Sequence, residues 1–186
     1  MSGAPVRKLL FISAYTGLGG GESVQLNLMR ALNWQRFALH LVCPRDGQLP
    51  AAAQALGVQV HLLPYRPATA WFVPALWGRF PVSRRLAALM RAEAIDAVHS
   101  DYHSLPFAAA AAQRTGTPVI WNAMGWWFPA QPWQRHFFRA HVTQIIAITR
   151  AVRDRWLAAS GHFLPPERIR VLVPGVDPDH FHPEVE

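Results

Sequence analysis

Two short stretches of the sequence carry residue types able to do chemistry. In the first, Gly17, Gly19, Gly20, Gly21 and Glu22 stand close together near the amino terminus. Residues without side chains let backbone amides approach a phosphate or a sugar, and a helix amino terminus behind them adds partial positive charge. A tight turn needing positive φ accounts for one or two glycines; three in succession exceed that need. The exact nucleotide fingerprints fail. G-x-G-x-x-G would require glycine at Glu22, and a Walker loop requires Gly-Lys, whereas the only lysine is Lys8. Asp46 could stand for a ribose-binding acid, but without the glycine pattern a dinucleotide enzyme ranks low.

The second stretch is His99, Asp101 and His103. Alternation along an extended segment would point all three the same way. Such a cluster can coordinate a metal, hydrogen-bond a substrate, or stand as an exposed loop. Asp177-Pro178-Asp179 has the form of an Asp-x-Asp metal motif, but a triplet of this kind arises readily by chance. No G-x-S-x-G elbow or H-E-x-x-H pair occurs, so the commonest hydrolase signatures are missing.

The elements that must position these residues alternate between short β-rich runs and helical stretches. Strands are predicted at Lys8–Ser13, Phe37–Cys43, Val58–Leu63, Ala97–Ser100, Val119–Asn122, Gln144–Ile148 and Ile169–Val173. A helix is expected from about Glu22, with Val24, Leu28, Ala31 and Leu32 on its apolar face. Ala51–Leu56 ends at Gly57, Pro106–Arg114 ends at Gly116, and Thr149 caps Arg150–Ser160, which ends at Gly161. The repeated helix–Gly–strand unit predicts a Rossmann-like, doubly wound α/β fold, with a mainly parallel sheet and helices on both faces. Pro64–Pro81 and Gly125–His141 fall outside this alternation.

Composition narrows the class. A chain of 186 residues with 51% hydrophobic content and mean hydropathy of +0.08 is a globular domain, not a disordered one. Its 16 prolines and 12 glycines punctuate apolar runs. No apolar stretch reaches the roughly 20 residues of a membrane span. The first residues lack the order of a secretion signal, and a single cysteine, Cys43, suits a reducing cytoplasm. A net charge of +7 would suit an anionic membrane surface or a phosphate-bearing substrate; arginine richness is equally a mark of base composition in the source. No zinc-finger, RNP or basic-zipper pattern accompanies the charge, so nucleic acid is not expected as a partner.

Several segments, in order, resemble the amino-terminal domain of family-4 glycosyltransferases, enzymes of the GT-B fold. Gly19-Gly20-Gly21-Glu22 resembles the family's turn after the first strand. Ile95-Asp96-Ala97-Val98-His99, Thr117-Pro118-Val119-Ile120 and Ile145-Ile146-Ala147-Ile148-Thr149, with Ala151-Val152-Arg153-Asp154, resemble its later strands and helix. Val173-Pro174-Gly175-Val176-Asp177 with Phe181-His182-Pro183 resembles its interdomain linker. The resemblance implies one half of a GT-B architecture: a domain over 1–174, the start of a linker over 175–186, and no carboxy-terminal nucleotide-sugar domain. It implies retaining transfer to a glycan or lipid-linked acceptor, with no metal and no cofactor held by this chain. The nucleotide-sugar donor would sit on a second domain, supplied in cis or in trans. Gly19, Gly20, Gly21 and Glu22 would shape the cleft, with His99, Asp101, His103 and Asn122 toward the substrate. Met124 and Asp101 depart from the family, which places histidines there. The rival reading is a non-catalytic binding or scaffold module on the same fold.

Two aromatic–basic groups suit the inner membrane face, giving a cytoplasmic protein with peripheral attachment. One is Trp71, Phe72, Trp77, Arg79, Phe80, Arg84 and Arg85. The other is Trp126, Trp127, Phe128, Trp133, Arg135, Phe137, Phe138 and Arg139. Ordinary packing beneath loops is the alternative.

Overall fold

A computed structural model describes residues 5–68, 81–125, 132–159 and 164–175. Seven strands form one sheet: β1 (Arg7–Ile12), β2 (Phe37–Cys43), β3 (Gln59–Leu62), β4 (Ala97–Ser100), β5 (Val119–Ala123), β6 (Gln144–Ala147) and β7 (Ile169–Val171). Their order is β3-β2-β1-β4-β5-β6-β7, and every neighbouring pair is parallel. The described helices are α1 (Gly20–Ala31), α2 (Gln48–Ala55), α3 (Pro81–Ala92), α4 (Leu105–Thr115), α5 (Pro132–His141) and α6 (Arg150–Ala159). The order reverses direction between β1 and β4, so their carboxyl ends open a crevice of the kind where ligands bind.

Side-chain alternation along the strands builds two cores. Leu10 and Ile12 point to the larger one, where α3, α4, α5 and α6 contribute Leu86, Met90, Ala108, Phe138 and Trp156. Phe11 points to the smaller one, closed by Leu26 and Met29 of α1 and Leu49 and Ala53 of α2. Among the described residues that second core spans β1, β2 and β3. On the same face, β5 and β6 leave Ile120, Asn122, Gln144 and Ile146 half-exposed. Parallel sheets are almost always covered on both faces, so this half-bare face needs a reason.

The strands lie within a residue or two of their sequence expectations, and Phe37–Cys43 and Ala97–Ser100 coincide with them. Gly57 and Gly116 leave their helices with φ of 93° and 75°, the left-handed exits that favour glycine. Thr149 Oγ1 accepts from the Val152 amide at 3.1 Å, capping α6 as expected.

Two expectations need correction. The fully buried face of α1 is Gln25, Leu26 and Met29; of the expected stripe, Leu28 and Leu32 pack partly buried against the core, while Val24, Leu28 and Ala31 line a groove. The periodicity was that of a helix with a second apolar stripe. The stretch Gly125–His141 contains helix α5, which turns Phe137 and Phe138 into the core at 3% and 0% exposure. These two aromatics pack beside Trp121 and Trp156, with Phe138 stacked on Trp121 at 4.8 Å. Trp71, Phe72, Trp77, Arg79, Phe80, Trp126, Trp127, Phe128, Gly161 and Asp177–Asp179 lie outside the described residues, as does the side chain of Trp133.

Candidate substrate cleft

The site grows from the end of β1. Chain direction changes at Ser13, whose hydroxyl donates to the Tyr15 carbonyl at 2.9 Å. The loop that follows is held from behind. The Leu49 amide donates to the Thr16 carbonyl at 3.0 Å, and the Leu18 amide to Gln48 Oε1 at 3.3 Å. Gly47 makes this approach feasible, because a Cβ there would lie 2.4 Å from the Thr16 carbonyl oxygen. In contrast, a Cβ on Gly17, Gly20 or Gly21 would meet nothing within 4 Å, and none of the glycines from 17 to 21 has positive φ. Gly17, Gly20 and Gly21 therefore serve neither turn strain nor tight packing and keep space open in front of α1, whereas a Cβ on Gly19 would lie 2.8 Å from Glu22 Oε2. Gly19, at the amino cap, gives α1 no side-chain cap, and Glu22 sits in its first turn, where a carboxylate suits the helix dipole.

The end of β4 faces this loop. Past Ser100 the backbone turns instead of staying extended, yet His99, Asp101 and His103 still reach one cleft. Asp101 is the hinge between the two sides. Its Oδ2 accepts from the Ala14 amide and its Oδ1 from the Ser104 amide, each at 2.6 Å. Burial pushes this carboxyl above its ordinary range, opposed by those two amides. Tyr65 reinforces the tie, its hydroxyl donating to the Ser13 carbonyl at 2.8 Å and lying 2.9 Å from Ser104 Oγ. Burial pushes that phenol well above its ordinary value.

His99 is 6% exposed and packs on Phe11, ring centroids 4.9 Å apart. Neither of its ring nitrogens has a hydrogen-bond partner among the described residues, and Gln25 Nε2 is likewise unpartnered. Burial lowers the His99 pKa to about 4, so the ring is neutral at physiological pH. His103 Nδ1 lies 3.3 Å from the Ala68 carbonyl, and its ring meets the edge of Tyr15. Asn122 Nδ2 donates to Met124 Sδ at 3.1 Å.

These residues enclose a cleft of about 420 Å³ lined by Gly21, Glu22, His99, Asp101, His103 and Asn122, together with Ser13, Tyr15, Gln25, Tyr102 and Met124. Six of the eight sequence-predicted positions thus converge. Gly19 lines an adjacent cleft of about 740 Å³ with Arg45 and Arg66, and Gly20 borders none of these cavities, its front being open. Sequence reasoning missed Ser13, Tyr15, Gln25 and Tyr102. Gln25 could have been found, since it stands three residues after Glu22 and so shares its helix face. A second groove of about 350 Å³ adjoins the cleft through His99 and Asn122, and runs between the Val24–Leu28–Ala31 stripe and Ile146, Ile148, Leu172 and Val173. Cys43 is buried with its thiol pushed up to about 12, which makes it a packing residue. Among the described residues no group of three or more His, Cys, Asp or Glu side chains could hold a metal ion.

The fold is that of known sugar-transferring enzymes. A glycosyltransferase from Rickettsia africae superposes with a TM-score of 0.73 at 14% identity, over 97% of this chain and 48% of that one. HepE from Anabaena, in complex with UDP and glucose, superposes with a TM-score of 0.69 at 16% identity, over 93% and 46%. The lipopolysaccharide outer core galactosyltransferase WaaB, in apo form, gives 0.59 at 16% identity, over 89% and 45%. The chain therefore spans about half the length of the solved structures it matches. No curated protein sequence matches it significantly. At these identities superposition speaks for the fold alone, but the sequence profile of Glycosyltransferase Family 4 matches residues 18–180. By that match across most of its length, the chain belongs to glycosyltransferase family 4.

Proposed function

We propose that this chain is the acceptor-side wall of a retaining glycosyltransferase that moves a sugar from a nucleotide-sugar to a glycan or lipid-linked acceptor. The acceptor lies in the cleft of Gly19, Gly20, Gly21, Glu22, His99, Asp101, His103 and Asn122. The donor is bound by a second domain, joined in cis or supplied in trans, and the linker to it begins near residue 175. The observation that carries this reading is the half-bare parallel sheet. Among the described residues its half-exposed face merges with the cleft through His99 and Asn122, as expected of a surface built to be met by another body. No arginine or lysine lines the 420 Å³ cleft among the described residues, so the groups that would stabilise a departing diphosphate must come from elsewhere.

The test is turnover. Incubated alone with a mixture of nucleotide-sugars and acceptors, the chain is expected to release no nucleotide above background. Joined to a family-4 donor-binding half, it is expected to transfer sugar. Steady turnover by the isolated chain would contradict the two-part reading. Met124 favours the second reading, a binding module without chemistry, because a thioether that accepts from Asn122 cannot move a proton. Acceptor binding by a joined chain that never turns over would establish that module instead.

Attachment to an anionic membrane belongs to the same proposal. Arg84, Arg85, His136 and Arg139 are exposed on α3 and α5, and no helix among the described residues is long and apolar enough to cross a bilayer. The chain is expected to co-sediment with phosphatidylglycerol vesicles at about 20 mM salt and to be released at about 300 mM, as screening shortens the reach of surface charge. Failure to co-sediment at any ionic strength removes the membrane from the proposal.

A further inference from the structure

Native structures rarely bury a polar atom without a partner, and an exception calls for an explanation. This cleft holds three such atoms on adjoining elements: both ring nitrogens of His99 at the end of β4, and Nε2 of Gln25 on α1. His99 is 6% exposed and Gln25 5%. Open cavities of about 420 and 350 Å³ border the histidine on two sides, so nothing prevents a packing solution with an apolar side chain there. The chain retains the polar groups regardless.

The charge of the surroundings limits what could satisfy them. Glu22 and Asp101 contribute carboxylates, and among the described lining residues there is no lysine or arginine. A phosphate would meet repulsion and find no cationic donor. The described cations border neighbouring spaces instead: Arg30 lines the 350 Å³ groove on the other side of His99, and Arg45 and Arg66 line the cleft beyond the glycine loop. The neutral imidazole offers one donor and one acceptor, the amide of Gln25 offers donors, and Tyr15, 44% exposed, supplies a flat apolar wall. That set matches the hydroxyls and C–H face of a sugar ring. The ring nitrogens are enclosed as they stand, but a half-turn about Cβ–Cγ exchanges them with ring carbons inside the same envelope.

We propose that His99 and Gln25 are specificity-determining residues that hydrogen-bond the hydroxyls of an uncharged sugar ring of the acceptor, in a cleft that turns phosphorylated sugars away. This rests on the acceptor-side reading given above and assigns the chemistry of its recognition.

The experiment uses the purified chain with methyl α-D-glucopyranoside, methyl α-D-galactopyranoside and methyl α-D-mannopyranoside, and with glucose 1-phosphate as the charged comparator. Binding is followed by ligand-observed NMR and by the imidazole nitrogen resonances of His99. At least one methyl glycoside is expected to bind and shift the His99 signals, with the sugar phosphate about tenfold weaker or worse. His99→Phe is expected to weaken glycoside binding about tenfold while raising Tm by roughly 2–4 °C, since it removes two orphaned nitrogens from the interior. Gln25→Leu is expected to weaken binding by about threefold without lowering Tm. Equal glycoside binding by wild type and His99→Phe, tighter binding of glucose 1-phosphate, or binding of none of the glycosides would each overturn the inference. A joined enzyme that transfers sugar with an acceptor KM unchanged by His99→Phe overturns this inference alone and leaves the transferase reading intact.

Discussion

Asp101→Ala is expected to lower the unfolding free energy by about 3 kcal/mol, because two buried backbone amides lose their acceptors at once. The Ala14 amide lies two residues past β1 and the Ser104 amide at the amino cap of α4, each 2.6 Å from its own carboxylate oxygen. Asp101→Asn keeps one acceptor and is expected to cost roughly half as much. Chemical denaturation of the three proteins at neutral pH measures both. If asparagine and alanine prove equally mild, below about 0.5 kcal/mol, the carboxylate does not tie the two sides of the cleft. Asp101 grips two elements through these amides, so the residue shapes the cleft before it touches any ligand.

The second large effect is on acid stability. The pKa of His99 is lowered to about 4 from 6.5 by burial. Between these values the unfolded chain binds a proton that the native chain refuses, so stability is intact above about pH 6.5 and falls as pH drops toward 4. A gap of about two and a half pH units corresponds to roughly 3 kcal/mol. Burial also lowers the pKa values of His40, His61 and His141, which act in the same sense. Asp101, pushed up by burial, acts oppositely, since it takes up its proton first in the native state. Comparing wild type with His99→Phe cancels these common contributions. The variant's advantage in urea denaturation is expected to grow by about 2–3 kcal/mol between pH 7 and pH 4.5. An advantage that stays constant within about 0.5 kcal/mol would show that His99 titrates normally.

Much of the fold was legible because local chemistry and global topology agree. Continuous apolar runs such as Phe37–Cys43 have one home, a strand buried on both faces, and the glycines after α2 and α4 mark exits that need positive φ. The site was partly legible for a related reason. Residues at the carboxyl ends of parallel strands converge, which brings His99, Asp101 and Asn122 to one cleft; the sequence pattern grouped His99, Asp101 and His103, and the family resemblance added Asn122. What escaped notice depends on contacts remote in sequence. Gln25 reads as an ordinary polar helix residue until β4 places His99 beside the same cleft. Nothing near Gly47 hints that Thr16 presses against it. The face of α1 could not be chosen from periodicity, since Val24–Leu28–Ala31 and Leu26–Met29 are both apolar, and only the sheet decides which one it hides. Helix α5 was obscured by its many aromatics, two of which are core.

Because His99 and Asn122 border both cavities, the chamber and the trough share a party wall. Any free-energy coupling between a body settling into the trough and a guest in the chamber is, by linkage, equal in both directions.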